Sequence, residues 1–207
     1  FGLLGEFVSS TLDPQQQLRK VFKRLNPSMV MFFRLGLGGW MNSPDVGGQI
    51  MVLTHTGRKT GAIRRTPLNY AIVDGEVYCM AGFGAISDWY RNIQKNPAVQ
   101  VWLPDGWWCG TAEDVSDSPE RLFLVRQVLI ASGFAARLFG MDAYSMSDAR
   151  VDEQTRISRL IHIKRTEACT GSGGPNDLAW IWPAVTFALL GLLFLRGKTL
   201  RRGRPSR

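Results

Sequence analysis

Six short stretches of β-forming residues, set apart by turn chemistry, constrain this chain more than anything else in it. They are QIMVLTH (49–55), RTPLNYAIV (65–73), EVYCMAG (76–82), VQVWL (99–103), WWCGTAEDV (107–115) and RISRLIHIK (156–164). Asp74-Gly75 and Pro104-Asp105-Gly106 read as tight hairpin turns. Short strands joined in this way predict an antiparallel barrel, since closure removes the unpaired edges that an open sheet would expose. Helical patterns interrupt the strands at three places. QQQLRKVFKRL follows the start signal Asp13-Pro14 and puts Leu18, Val21, Phe22 and Leu25 on one face. DWYRNIQKN is the second, and RLFLVRQVLIASG behind Asp117-Ser118-Pro119 is the third. At 207 residues and 45% hydrophobic content the chain suffices for one packed domain with appendages.

The main appendage is LAWIWPAVTFALLGLLFL (178–195), which holds no charge. As a helix of 18 residues it would extend roughly 27 Å, apolar on every side, with Trp180 and Trp182 at one end and arginines at the other. A transmembrane helix is therefore expected there, preceded by a flexible glycine-rich tether, ACTGSGGPND (168–177). The expected organisation is a helical region over 1–48 that suits a membrane periphery, a barrel over 49–167, the tether, the span over 178–195 and a basic tail over 196–207. The net charge is +8, and six of those charges lie in the tail, so 1–195 carries only +2. Positive residues on one side of a span place the tail in the cytoplasm. The opening FGLLGEF lacks a methionine and leaves the side of the globular part open. VMFFRLGLGGWM (30–41) is too short to span and suits the interface. Cys79, Cys109 and Cys169 show neither disulfide nor metal spacing and read as buried or incidental thiols.

One charge cluster lies outside the tail. LTHTGRKTGAIRRTPL (53–68) places Gly57 and Gly61 in a bend between two strands and surrounds them with Arg58, Lys59, Arg64 and Arg65. Glycines let backbone amides approach a ligand, and the cations add charge-assisted donors, so the loop suits an anion of the phosphate class. It is no P-loop, because the spacing of that motif and the helix start after it are missing. Composition alone fits a solvated basic hairpin equally well. No motif that reads DNA or RNA accompanies the charge, so a nucleic-acid partner is not expected.

The order of segments adds to this. Thr56-Gly57-Arg58-Lys59-Thr60-Gly61 with Arg64, followed by YCMAGFG and then by Trp89-Tyr90-Arg91-Asn92-Ile93-Gln94-Lys95-Asn96-Pro97, closely resembles the deazaflavin-dependent nitroreductase family. The resemblance is good over 51–103 and weaker, in the right order, over 14–41 and 107–164. It implies an α+β, mainly β, split antiparallel β-barrel of the FMN-binding-like type that holds the deazaflavin coenzyme F420, with FMN as the lesser candidate. By the same resemblance Arg58, Lys59 and Arg64 would hold the coenzyme's phosphate and acidic tail, with Thr56, Gly57, Thr60 and Gly61 shaping the loop. Pro67 and Asn69 would begin the strand that lines the ring, and Gly82-Phe83-Gly84 would form the opposite lip. Here the sequence departs from family members that carry a lysine in that lip, a loss for which Arg65 could compensate. Phe83 suits either stacking on a flat ring or ordinary packing. Trp89 and Tyr90 read as a plug for the core.

No general acid or base stands out, which agrees with chemistry that resides in the coenzyme. His55 beside the loop and Tyr144 farther along are the only catalytic candidates, His162 is weaker still, and no metal site is expected. The resemblance and the apolar run together imply a membrane-anchored deazaflavin-dependent oxidoreductase that passes hydride to a small or lipid-soluble acceptor such as a quinone, with membrane lipid as a partner. The alternative is a non-catalytic accessory subunit of a respiratory or photosynthetic membrane complex, without coenzyme and with other subunits as partners.

Overall fold

The structure is a computed structural model that describes residues 14–42, 48–138 and 140–202. Asp13 of the expected helix start and the last residues of the basic tail, 203–207, lie outside the described residues. The elements run α1 (Pro14–Arg34), α2 (Gly38–Met41), β1 (Ile50–Thr56), β2 (Ile63–Val73), β3 (Glu76–Ala81), a single 3-10 turn (Gly84–Ile86), α3 (Asp88–Lys95), β4 (Ala98–Leu103), β5 (Gly106–Asp114), α4 (Arg121–Ala131), α5 (Phe134–Leu138), α6 (Asp148–Thr155), β6 (Arg159–Ala168) and α7 (Ile181–Arg202).

The six strands close into an antiparallel barrel in the order β1-β2-β3-β6-β5-β4. Its interior follows from strand alternation. Met51 and Leu53 of β1, Leu68 and Tyr70 of β2, Val77 and Cys79 of β3, Val99 and Val101 of β4 and Ile161 and Ile163 of β6 point inward, and Tyr90 and Ile93 of α3 plug one end. Two further clusters lie outside the barrel. Leu124, Val125, Val128 and Leu129 of α4 pack with Val151 of α6 and with Leu160 and Ala71 of the barrel. Phe33 of α1 packs on Ile50, Val52 and Trp102, with Trp107 at the margin. The expected strands and the three helical patterns are all present. α6 is an addition, since DARVDEQT carries little apolar periodicity; buried Val151 and Thr155 and the ion pairs of Asp148 with Arg126 and of Asp152 with Arg121 hold it.

The C-terminal part differs from expectation in three respects. β6 begins at Arg159 and continues to Ala168, beyond the anticipated end of the strand, because its partner β5 extends to meet it from Trp108 to Asp114. Cys109 and Cys169 are disulfide-bonded, with Cα atoms 5.3 Å apart. The two are separated by 60 residues, so only the pairing of β5 with β6 brings them together; Cys79 is buried and free. Residues 170–178, expected to hang free, are fastened to the barrel and to α1. Arg65 donates to the Gly173 carbonyl at 2.7 Å, Arg34 forms a two-pronged ion pair with Asp177 at 2.9 Å, and the Leu178 amide donates to the Arg34 carbonyl.

The expected spanning helix is also corrected. Residues 178–180 form a turn tied to the end of α1, and Trp182 donates its indole N–H to the Leu35 carbonyl at 2.8 Å. The helix therefore starts at Ile181, and its uncharged stretch before Arg196 measures roughly 22 Å, short of a hydrocarbon core of about 30 Å. Among the described residues no helix is long and apolar enough to cross a membrane.

Candidate functional site

The hairpin between β1 and β2 is closed by local bonds that its glycines permit. The Gly57 amide donates to the Ala62 carbonyl and the Gly61 amide to the Gly57 carbonyl, both at 2.8 Å. Gly61 adopts φ +68°, a conformation side chains disfavour. Gly57 is required for space, since a Cβ there would stand 3.2 Å from Arg64 Nε and 3.4 Å from Thr60 Oγ1. The guanidinium of Arg64 and the hydroxyl of Thr60 thus converge over the Gly57 backbone, with Lys59 exposed beside them. Thr56 ends β1 and begins the bend.

Arg58 is engaged within the protein. Its backbone N–H and one guanidinium nitrogen both donate to Asn92 Oδ1, at 3.1 and 3.0 Å, and its other nitrogen pairs with Asp88 at 3.2 Å. Asn92 is buried, and its amide nitrogen contacts His55 Nδ1 at 3.3 Å. His55 Nε2 in turn meets Thr66 Oγ1 at 3.1 Å. Because Arg58 occupies the Asn92 oxygen, the amide N–H₂ faces the histidine, so Nδ1 accepts and Nε2–H donates to Thr66. The two sequence signatures are therefore joined through Arg58, Asp88 and Asn92. Asn92 was visible as the fourth residue of the Trp89 motif, yet its partner lies 34 residues away.

His55 is a member of this network. Burial pushes its pKa down to about 4, against a weaker upward pull from a bond with the Thr56 backbone, and the Arg64 charge also lowers it. The folded protein thus keeps His55 neutral at a pH where the unfolded chain protonates it. Stability is complete above pH 6.5 and falls as pH drops from 6.5 towards 4, by up to about 3 kcal/mol. Urea unfolding across that window should show the slope, and His55→Gln should flatten it.

Arg65, the expected substitute for the missing lip lysine, is engaged elsewhere. Strand alternation turns it to the outer face, where it stacks over Trp102 at 5.2 Å and holds Gly173. Pro67 and Asn69 share that face, half-buried, and Asn69 donates to the Gln49 carbonyl. The Gly82-Phe83-Gly84 lip is pinned to the start of β6. Ser158 donates to the Gly82 carbonyl, and a Cβ on Gly84, which has φ +59°, would lie 2.1 Å from the Ile157 carbonyl oxygen. Arg91 of α3 donates to the Ala85 carbonyl at 2.7 Å. Lip and hairpin are thus both fastened to α3. Tyr90 is the expected plug, with its hydroxyl on Asp114 at 2.5 Å, and Trp89 packs against the interior. Tyr144 stands exposed in the turn after α5, beside Leu129 and Arg137 and away from the hairpin's bonds. His162 bonds Glu76 and stacks on Tyr78 at the surface.

A small α+β split barrel with a basic, glycine-hinged hairpin bolted to a short helix is the class that this fold and site define. Residues 23–147 match the family model described as F420H(2)-dependent quinone reductase, and the chain belongs to that family of F420-dependent oxidoreductases. Among solved structures it is similar to the conserved hypothetical protein Rv2991 from Mycobacterium tuberculosis, at 21% identity over 67% of this chain and 91% of that one, with a TM-score of 0.44. An F420-H2 dependent reductase, FDR-A, is 23% identical over 56% of this chain and 94% of the other, with a TM-score of 0.40. The heme storage protein HutZ from Vibrio cholerae is 12% identical over 62% and 89%, with a TM-score of 0.41. The family assignment rests on the family model and not on these distant likenesses.

Proposed function

We propose that this protein binds reduced coenzyme F420 and passes its hydride to a lipid-soluble acceptor, a quinone being the fitting class, at a membrane surface. The observation that carries the reading is the convergence of the Arg64 guanidinium and the Thr60 hydroxyl over Gly57, beside exposed Lys59. Such a donor set fits the anionic part of the coenzyme. When bound, the coenzyme supplies the hydride; the chain's own residues bind and orient. Arg64 and Lys59 hold the anion, Arg58 and Asn92 fix the hairpin on α3, and the Gly82-Phe83-Gly84 lip closes the opposite side. With His55 buried and neutral, protons for the acceptor come from water. Fluorescence titration of the purified full chain with the coenzyme tests the reading; absence of saturable binding would overturn it.

The membrane part of the proposal rests on one corner of the molecule. Val21, Leu25 and Phe32 form an exposed stripe along α1, bordered by Lys20 and Arg24. Exposed Trp40, Trp180 and Trp182 and the apolar α7 adjoin its end through the bond between Arg34 and Asp177. Since the uncharged part of α7 is too short to cross, this corner lies in the interface, and the tail's arginines meet anionic headgroups. Membranes carrying the protein should release it on an alkaline carbonate wash. Retention in the pellet would indicate a spanning anchor instead.

A further inference from the structure

The outer face of β2-β1-β4-β5 has two covers: Phe33 of α1 packs on Ile50, Val52 and Trp102, and residues 169–178 lie over Arg65 and Trp107. At one end the segment is tied to β5 by the disulfide between Cys109 and Cys169 and by the Cys169 amide, which donates to the Trp107 carbonyl at 2.8 Å. At the other end Asp177 is paired with Arg34. Between these ends the Asn176 amide donates to the Phe33 carbonyl at 3.0 Å. Arg65 donates to the Gly173 carbonyl, and Gly174 presses on Trp107 so closely that a Cβ would stand 2.5 Å from the indole ring.

The covered surface is poorly satisfied. Four buried side-chain polar atoms among the described residues have no hydrogen-bond partner: Thr54 Oγ1, Arg65 Nε, Trp102 Nε1 and Trp107 Nε1. Strand pairing places all four on this one face, since Thr54 lies opposite Arg65 and Trp102 opposite Trp107. Of these four residues, Arg65 and Trp107 are the two the segment touches directly. Burying polar groups unpaired opposes closure, so the covalent link holds shut a cover that its other contacts hold weakly. Cys169 is half-buried at the start of an exposed turn, Thr170, Gly171 and Ser172, where another thiol can approach.

We propose that Cys109 and Cys169 form a thiol–disulfide exchange site, and that its oxidation state sets whether the strap 169–178 covers Arg65 and Trp107 on the barrel's outer face. The reductant is a dithiol. Its thiolate attacks one sulfur of the cystine, the other sulfur leaves as a thiolate and takes a proton, and the second thiol of the reductant resolves the mixed disulfide. The protein gains two electrons and two protons and the dithiol becomes a disulfide. The strap then hinges on its Asp177 end, and Arg65 and Trp107, on the same face as Pro67 and Asn69, are uncovered. This regulation bears on the coenzyme site only if the reading above holds, but the movement itself is independent of it.

The test is hydrogen exchange on the purified full chain in detergent, oxidised and after treatment with dithiothreitol. Reduction should speed exchange over 168–174 at least tenfold and shift tryptophan emission to the red, while β1 and β4 stay protected when the strap has fully exchanged. The double variant Cys109→Ser with Cys169→Ser should behave as the reduced protein in either buffer. Gly174→Ala should loosen the oxidised strap with both cysteines in place. Equal strap exchange in both states would overturn the proposal, as would loss of strand protection at the same rate as the strap, which marks a purely structural staple. Three alkylatable thiols in protein unfolded without reductant would also overturn it. Coenzyme titration in both states separates the two readings: no binding in either state while the strap moves refutes the function and leaves the switch standing.

Discussion

Reversing the two exposed charges of the hairpin, Lys59→Glu together with Arg64→Glu, is expected to weaken coenzyme binding at least a hundredfold and leave the fold intact. Each side chain stands at the hairpin surface and contributes nothing to the barrel interior. A charge-assisted hydrogen bond to a ligand is worth about 1.5 kcal/mol or more, and two such losses multiply to roughly that factor. Fluorescence titration gives the affinity, and circular dichroism with a thermal melt gives the fold. Unchanged affinity would remove the anion from this hairpin. Arg58 serves poorly in such a test, because its ion pair with Asp88 and its bonds to Asn92 make any loss of binding ambiguous.

The second large effect is expected at Asn92. Replacing it by alanine removes the acceptor for the Arg58 amide and guanidinium and the partner of His55 in one step. The groups left behind are buried or half-buried, and an unpaired buried donor costs about 1–3 kcal/mol. Asn92→Ala should therefore lower stability by about 3 kcal/mol and the melting temperature by roughly 6–12 °C for a domain of this size. Coenzyme affinity should fall as well, since the hairpin loses its mount. A melt within a degree or two of the parent would show that α3 and the hairpin hold together without Asn92.

The strands and both signatures could be read directly, because alternation, turn residues and motif spacing are local properties of the chain. What escaped reading was non-local. Arg65 adjoins Arg64 in sequence, and alternation alone separates their directions, yet only the folded barrel shows that Gly173 and Trp102 wait on the outer side. The cystine depends on two strands meeting across 60 residues. The start of α7 depends on Arg34, which captures Asp177 and holds 178–180 in a turn, so an uncharged run of 18 residues yields a shorter apolar helix. Arg58 reads as a ligand-binding cation in the sequence, and no sequence rule reveals that Asp88 and Asn92 engage it.

The shared attachment of hairpin and lip to α3 has a further consequence. The spacing of these two walls depends on one eight-residue helix, on the three residues, 85–87, that lead into it from Gly84, and on the ties of Gly82 and Gly84 to the start of β6. Neither wall reaches the other through the barrel's own ladder, which fixes only their roots. Lengthening that short lead would widen the gap while every residue facing a bound molecule stayed the same, and shortening it would narrow the gap. If the proposed coenzyme site is used, chain length between lip and tryptophan would then select ligand size. Related chains that differ in the segment between lip and tryptophan can take different molecules with identical linings.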